Sequence, residues 1–409
     1  MRISISLTPL RYSRFRWLWV GLSASYAGDR LQELAQAWLV AGLAQSSALA
    51  VGWIAIFASI PQLFMPLGGV IADQVDRRKL LIMGQVAGAC FAAVVGGLVL
   101  IGHVLPWHIY AWAFISGIIW LFSRPAYKVI LTEVVPRDEV RSAVALNSTT
   151  ESITTTTVNL AGSVLLAWIG LPVAFLLNMA SYLVAAGSLW RISGLTQPII
   201  GKRDQFSLRR VSSDLKDGFS YLIHQPTLFR PLLLTFLTVM CTVPVVGLLA
   251  AIIHKQGGSI IDLGLLFASA GFGAIAGAIY AGAHPEGDRP VHTYAWLGIA
   301  AAMAEIVFIF TPISFFTGLP LAVIGFVFFS ETVWNTSRVR MSADPTFQGR
   351  IQSLTTMAFT LGGALGQLWG GFMVDRFGIQ GLAAGAILLC VISTCALIPQ
   401  RQRYIRMQG

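Results

Sequence analysis

Residues 69–102 read GVIADQVDRRKLLIMGQVAGACFAAVVGGLVLIG, and this stretch decides the class of fold. The charged segment ends at Lys79, and no residue from 80 to 102 carries a charge. An α-helix rises about 1.5 Å per residue, so roughly 20 apolar residues cross a hydrocarbon core of about 30 Å. The stretch therefore predicts a polar loop followed by a membrane-spanning helix.

Similar apolar runs recur along the whole chain, separated by short polar clusters. Only 11% of the 409 residues are charged and 56% are hydrophobic, whereas an average soluble domain has about 25% charged residues. We therefore expect an all-α integral membrane protein with twelve transmembrane helices. The predicted spans are 17–44, 48–71, 79–102, 107–131, 141–169, 171–192, 228–253, 262–283, 292–311, 315–339, 347–374 and 379–398.

Basic residues mark one set of links between the predicted spans. Links with basic clusters, such as 77–79 and 338–350, alternate with links in which the only lysine or arginine residues are Lys255 and Arg376. By the positive-inside rule, the basic links and both termini are expected to be cytoplasmic. This placement accounts for the formal charge of +10 and favours contact with membrane lipids, and it does not favour nucleic acid binding.

The longest link, 193–227, separates a predicted N-terminal bundle (1–192) from a C-terminal bundle (228–409). Within the link, apolar residues follow helical spacing while charged residues lie off that stripe. The apolar positions are Leu208, Val211, Leu215, Phe219 and Leu222. The pattern predicts an amphipathic helix on the cytoplasmic surface, with a solvated linker as the alternative.

A weak internal repeat supports two pseudo-symmetric bundles of six helices. Three pairs of identical residues are each separated by 209 positions. In each half, the three residues run from a cytoplasmic link into the next helix. The pairs are Pro136 with Pro345, Arg141 with Arg350, and Gly162 with Gly371. Two related halves about an axis normal to the membrane are the arrangement that such a repeat predicts.

The loop between spans two and three has a readable physical logic. Gly69 permits close approach of helices, and Asp73 at a helix end can meet the positive N-terminus of another helix. Arg77 and Arg78 can pair with acids or with lipid phosphates. A glycine, an aspartate four residues later and a basic cluster resemble the signature loop of the major facilitator superfamily.

That resemblance implies a cytoplasmic gate in which the loop latches the two halves together. The implied partner is the start of span eleven, from Asp344 to Arg350. Two positions depart from the usual pattern, since Gln74 replaces a common arginine and Asp76 a common glycine. The expected gate residues are Gly69, Asp73, Asp76, Arg77, Arg78, Gly349 and Arg350.

The first span places charges deep in the membrane. Asp29 lies about 18 Å beyond Trp17 along a helix, and Tyr26, Asp29, Glu33 and Gln36 share one face with Arg30 beside it. A charge at the bilayer centre costs roughly 2.5–3.5 kcal/mol on insertion scales. These residues therefore form either a self-neutralising polar contact between helices or a substrate and proton site.

Three further spans carry polar groups at comparable positions. Glu151 lies in span five, Glu331 and Asn335 lie in span ten, and Arg124 precedes Pro125 in span four. Arg124 is expected either to attract anionic groups at a cavity mouth or to pair with Glu133. The superfamily resemblance implies that spans one, four, seven and ten line a central cavity. It would place these acids around that cavity and Glu305 on the periphery.

The first half resembles one branch of the superfamily more specifically. The residues that carry the resemblance are Gly28–Asp29, Ala37–Val40, Ser46–Ala50, Pro61, 69–79 and Phe122–Ala126. They resemble the bacterial branch of the enterobactin exporter and the macrolide efflux proteins. The resemblance implies a bacterial inner-membrane exporter of a siderophore or a drug. Val158–Asn159 stands where the antiporter motif has Gly-Pro, and span four lacks the arginine usual in many proton antiporters.

The sequence therefore favours a secondary transporter rather than an enzyme. A carboxylate in a poorly hydrated cavity has a raised proton affinity, so the acids can exchange protons for a small organic substrate during alternating access. Import of a solute or siderophore on the same scaffold is one alternative, and a non-transporting sensor is another. We expect no catalytic residue, cofactor or metal, and a monomer.

Overall fold

The computed structural model describes residues 7–64, 75–192, 208–284, 290–312, 315–344 and 347–408, and all regular structure in these ranges is helical. The α-helices of the first half are α1 (Ser13–Leu43), α2 (Ala48–Gln62), α3 (Arg77–Leu100), α4 (Pro106–Glu133), α5 (Val140–Thr157), α6 (Ser163–Ile169) and α7 (Pro172–Arg191). Those of the second half are α8 (Leu208–His224), α9 (Pro226–Gly247), α10 (Leu249–Lys255), α11 (Ile260–Ala283), α12 (Pro290–Phe310), α13 (Gly318–Ser342), α14 (Gln348–Phe377) and α15 (Ala383–Gln408).

Nine helices in the described ranges are long and apolar enough to cross a membrane. Helices α1 (31 residues) and α14 (30 residues) are long enough to cross a membrane but are not among these nine. Helix α2 has 15 residues and ends at Gln62, and the rest of predicted span two falls partly outside the described residues. The predicted all-helical membrane protein is confirmed, and the count of twelve spans stays a prediction.

Two predicted spans are interrupted helices. The span predicted at 141–169 contains a π-helical turn, Val158–Gly162, between α5 and α6; single π turns inside α-helices are frequent at functional sites. The span predicted at 228–253 breaks between α9 and α10 at Leu248, shortly after Pro244. Proline has no N–H to donate and clashes with the preceding turn, which favours a break there.

The described chain forms two compact units. One contains Met1–Leu43 and Phe57–Ser207, and the other contains Ala44–Ile56 and Leu208–Gly409. Helix α2 is therefore divided, with 48–56 in the second unit and 57–62 in the first. The grouping of 44–56 with the second unit is not something the apolar pattern of the sequence could indicate.

Glycines bring helices into backbone contact within the second unit. A Cβ atom added to Gly273 of α11 would lie 1.8 Å from the carbonyl oxygen of Ala322 in α13, and one at Gly277 would lie 2.2 Å from that of Phe326. Small residues at these positions let two membrane helices approach at backbone distance. Helices α11 and α13 therefore pack at backbone distance at these two positions.

The predicted amphipathic helix is present as α8 and packs within the second unit. Leu222 is buried with Ile351, and the Tyr221 ring stacks on Phe347 with centroids 4.5 Å apart. Phe219 and Ile223 are exposed, so part of the apolar face is left uncovered. The helix thus docks on the start of α14, a contact that the expectation of a surface helix did not include.

Candidate functional site

Two ion pairs from α1, α4 and α5 form a group that we call the charged cluster: Arg30, Glu33, Arg124 and Glu151. Arg30 Nη1 lies 2.6 Å from Glu33 Oε2, one helical turn away, and Arg124 Nη2 lies 3.9 Å from Glu151 Oε1. Glu33 and Arg124 are about half exposed, at 49% and 51%. The cluster combines two charges of each sign and is open on at least one side.

Aromatic and polar groups surround the charged cluster. The Arg124 guanidinium lies 4.7 Å from the centroid of the Trp120 ring, within the range of a cation–π contact. Asn147 Nδ2 donates to the Tyr26 hydroxyl at 3.4 Å, which links α5 to α1. The surroundings therefore offer aromatic faces and hydrogen-bonding groups beside the charges.

Helix α5 is rich in hydroxyl groups that satisfy their donors within the helix. Thr150, Ser152 and Thr155 each donate to the carbonyl oxygen four residues earlier, at 2.8, 3.0 and 2.9 Å. Trp19 Nε1 also donates to Thr150 Oγ1 at 2.9 Å. These back-bonds let a helix with many polar side chains lie among apolar neighbours without unpaired hydroxyl donors.

Asp29 belongs to a separate and more enclosed group between α1 and α7. Tyr182 donates to Asp29 Oδ1 at 2.6 Å and Asn178 Nδ2 donates to the same atom at 3.3 Å. Asn178 Nδ2 also donates to Gln32 Oε1 at 2.7 Å, and both amide residues are 1% exposed. Gln36 is buried as well, and its Oε1 has no hydrogen-bond partner among the described residues.

Sequence reasoning therefore grouped Asp29 with Glu33 on one stripe, whereas their side chains have different surroundings. It also missed Gln32, Asn178 and Tyr182. The available signal was a polar trio at 178, 181 and 182 inside the otherwise apolar span 171–192, at the spacing of one helix face. These residues hold the acid of α1 against α7.

Glu331 and Asn335 lie in the second unit, between α13 and α9. The Thr238 hydroxyl donates to Glu331 Oε1 at 3.4 Å, and Asn335 Nδ2 donates to Thr235 Oγ1 at 2.8 Å. Glu331 is fully buried, and its Oε2 has no hydrogen-bond partner in the described ranges. This acid is enclosed in a helix contact, unlike Glu33 and Glu151.

Of the expected gate residues, Gly69 and Asp73 lie outside the described residues. Asp76 caps α3, because its Oδ1 accepts a hydrogen bond from Lys79 N at 3.2 Å. Arg77 Nη1 lies 3.4 Å from Glu133 Oε1. Of the two expectations for Arg124, the Glu133 pairing is not the one seen, since Glu133 faces Arg77 and Arg124 faces Glu151.

Arg78 and Arg350 also have partners within their own units. Arg78 Nε donates to the carbonyl oxygen of Leu189 at 3.0 Å, and its Nη2 donates to that of Trp190. Arg350 Nη1 lies 3.6 Å from Asp217 Oδ2 of α8. Gly349 has no atom within 4 Å of the place where a Cβ would stand.

A family model described as a transmembrane secretion effector matches residues 4–405. The chain belongs to this family of major facilitator transporters. The resemblance drawn from the loop at 69–79 is thus confirmed at the level of the superfamily. This major facilitator is 20% identical over 398 residues to macrolide efflux protein A of Streptococcus pyogenes, covering 94% of this chain and 96% of that protein.

Other similar proteins agree with the family. An uncharacterised transporter of the same superfamily, YuxJ of Bacillus subtilis, is 23% identical over 54% of this chain and 56% of its own length. A mutant form of the nucleoside transporter NupG has the same fold, with a TM-score of 0.71, 12% identity, and coverage of 95% of this chain and 99% of its own.

A bacterial homologue of the human lysosomal transporter Spinster, solved in an inward-facing and unoccupied conformation, is also similar. Its TM-score is 0.67 at 15% identity, with coverage of 94% of this chain and 96% of its own. At these identities the two solved structures identify the fold alone. The family model and the nine apolar helices of the described ranges together make this major facilitator a multi-pass membrane transporter.

Proposed function

We propose that the protein is a secondary exporter of the bacterial inner membrane that moves an organic small molecule, a siderophore or a drug, in exchange for protons. In this proposal twelve spans form two six-helix bundles, 1–192 and 228–409, joined by the linker 193–227, with both termini cytoplasmic. Support for export comes from the similarity to macrolide efflux protein A over nearly all of both chains.

The observation that carries the proposal is the exposure of the charged cluster. A purely structural polar contact is enclosed, as the hydrogen bonds of Asp29 with Asn178 and Tyr182 are. Glu33 and Arg124, by contrast, are about half exposed. At the bilayer centre each charge facing lipid would cost roughly 2.5–3.5 kcal/mol, so we infer that the cluster faces an aqueous path through which substrate passes.

The composition of the charged cluster supports a substrate that has both charged or polar groups and an apolar surface. Its formal charges cancel, so it does not exclude either sign of ligand charge by repulsion. Trp120 adds an aromatic surface, which suits an amphiphilic organic molecule. We assign substrate contact to Arg30, Glu33, Arg124 and Glu151 on this basis.

Glu331 is the proposed proton carrier of the second unit. Its enclosure and its unpartnered Oε2 support this role, because a proton can be added there without breaking an ion pair among the described residues. Asp29 has the same proposed role in the first unit, and the buried Gln36 belongs to the same proposed site. Asn335 positions α13 against α9 through Thr235.

Alternating access completes the proposal. The loop that contains Gly69, Asp73, Asp76, Arg77 and Arg78 closes the cytoplasmic side, with Gly349 and Arg350 at the facing helix start. The charged cluster then opens to one side of the membrane at a time, and the proton gradient sets the direction. No cofactor is required, and the transporter acts as a monomer.

The test is flux in proteoliposomes with the purified protein. A radiolabelled macrolide and a radiolabelled catecholate siderophore serve as probes under an imposed pH gradient, with a protonophore as control. Proton-dependent movement of either probe supports the proposal. Binding of a probe without movement in either direction contradicts transport and favours a sensor, whereas flux that the protonophore leaves unchanged contradicts proton coupling.

A further inference from the structure

A carboxylate from α14 occupies the N-terminus of α2. Asp375 accepts three hydrogen bonds: from Ser47 Oγ at 2.7 Å, from Ala48 N at 2.7 Å and from Leu49 N at 3.1 Å. The first turn of any helix has N–H groups with no partner inside the helix, and its dipole favours a negative charge there. Asp375, which lies on another helix, supplies both the acceptor oxygens for these N–H groups and the negative charge, through charge-assisted hydrogen bonds.

The link that precedes α2 is held from outside as well. The Ser46 hydroxyl and His254 Nδ1 of α10 are 2.7 Å apart. Gln45 and Ser46 both have positive φ, at 51° and 64°, a conformation that residues other than glycine adopt at a cost. Contacts from α10 and α14 thus coincide with a link whose backbone is strained.

Two glycines seat α2 directly on α14. A Cβ added to Gly52 would lie 2.7 Å from the carbonyl oxygen of Gln367, and one added to Gly371 would lie 2.7 Å from the Cα of Leu49. The backbones are therefore in contact along the segment that precedes Asp375. This fit, together with the three bonds to Asp375, makes the start of α2 part of the second unit.

We propose that Asp375 is a gating residue whose bonds to the start of α2 form in one conformation of the transport cycle and break in the other. The inference rests on the proposed function. Residues 57–62 of the same helix belong to the first unit, where Phe57 stacks on Tyr110 with ring centroids 5.5 Å apart. In the proposed cycle α2 moves as one rigid helix with residues 57–62, and this movement away from α14 breaks the bonds at Asp375.

The contact at Asp375 is predicted to lie on the extracytoplasmic side of the membrane. The links near 45 and 376 belong to the set predicted to be extracytoplasmic, opposite the loop at 69–79. The proposed cytoplasmic gate is the loop at 69–79, whereas Asp375 meets a helix start on the other side. Each face of the membrane then has its own gate, and opening the extracytoplasmic face requires release of the bonds at Asp375, which form its latch.

Hydrogen exchange tests the latch without any substrate. In Asp375→Asn the Asn side chain cannot supply the charge, so we expect exchange of peptides from 44–56 to rise at least tenfold. Asp262→Asn is the matched control, because Asp262 caps its own helix through Ser259 N at 2.7 Å and Ser259 Oγ at 2.8 Å. Unchanged exchange at 44–56 in Asp375→Asn, or an equal rise in the control, overturns the latch.

A reversible cross-link tests whether the latch must open. Ser47→Cys and Asp375→Cys are combined in a chain whose four native cysteines are replaced by alanine. We expect oxidation to join the two positions and reduce probe flux at least tenfold, with recovery on reduction. Failure to cross-link, or full flux through the cross-linked protein, overturns the proposal. Absence of flux in the wild-type protein counts against the proposed function alone, since the exchange result stands without it.

Discussion

At the scale of single residues, the acids of the membrane-spanning helices fall into two classes that depth alone could not separate. Glu33 and Glu151 are open and ion-paired, whereas Glu331 and Glu305 are fully enclosed. Their depth follows from counting along a helix. Their surroundings depend on which neighbouring helix faces them, and the sequence could not provide that.

The exposed acids are expected to matter for flux rather than for stability. Glu33→Gln and Glu151→Gln each leave an arginine without its partner in the cluster, and we expect probe flux in proteoliposomes to fall at least tenfold in each. Thermal unfolding should change little, because exposed ion pairs contribute only about 0–1 kcal/mol. Asp262→Asn serves as the control of equal charge change outside the cluster. Full flux in both glutamine variants would remove the cluster from the transport path.

The enclosed Asp29 group should behave in the opposite manner. Tyr182→Phe removes the donor that lies 2.6 Å from Asp29, and an enclosed acceptor that loses its donor costs about 1–3 kcal/mol. We expect a lower unfolding temperature in Tyr182→Phe. The double variant with Asp29→Asn should be less destabilised than the sum of the two single variants. Strict additivity would show that the two groups do not interact.

Glu305 offers a test of a buried acid to which the proposal assigns no role. It is fully buried in α12, and neither carboxyl oxygen has a hydrogen-bond partner among the described residues. Replacing an unsatisfied polar group by an apolar one of similar size can be neutral or stabilising. Glu305→Met should unfold at the same or a higher temperature with flux retained. Lost flux with normal folding would instead give Glu305 a part in transport.

At the scale of elements, the apolar runs located the helices. The π turn at Val158–Gly162 was not predictable, since it contains no proline, whereas Pro244 was an available signal for the break at Leu248. The docking of α8 on α14 was also missed, because the linker pattern marks an apolar face but not what covers it. Asn178 and Tyr182 were missed because uncharged polar residues in an apolar span do not indicate which helix they face.

The backbone contact between α11 and α13 predicts a sharp difference between two glycines of α11. Gly273→Ala places a methyl group against the Ala322 carbonyl, and overpacking of this kind costs typically 1–3 kcal/mol. Gly282 has no atom within 4 Å of the Cβ position, so Gly282→Ala should be neutral or slightly stabilising because alanine favours a helix. Thermal unfolding in detergent compares them, and equal midpoints would contradict the contact.

At the scale of the whole molecule, the charge pattern predicts which links face the cytoplasm, and the fold alone does not. Exposed cysteines can be placed at Gln256 and Lys216, in a chain without native cysteines. A membrane-impermeant maleimide should label Gln256→Cys in intact cells and Lys216→Cys only after permeabilisation. This result is expected because the link at 256 has few basic residues and the linker at 216 has many. The reverse pattern would invert the proposed orientation.

The back-bonded hydroxyls of α5 have a consequence for the choice of cargo. A hydroxyl has one donor and two acceptor lone pairs, and Thr150, Ser152 and Thr155 have already committed their hydrogens to their own backbone. Only lone pairs remain for a visiting molecule, as the Trp19 bond to Thr150 demonstrates. In the proposed transporter these three hydroxyls can therefore accept hydrogen bonds from ammonium, amide or phenol groups, and they have no hydrogen to donate to a molecule that brings only ether and ester oxygens.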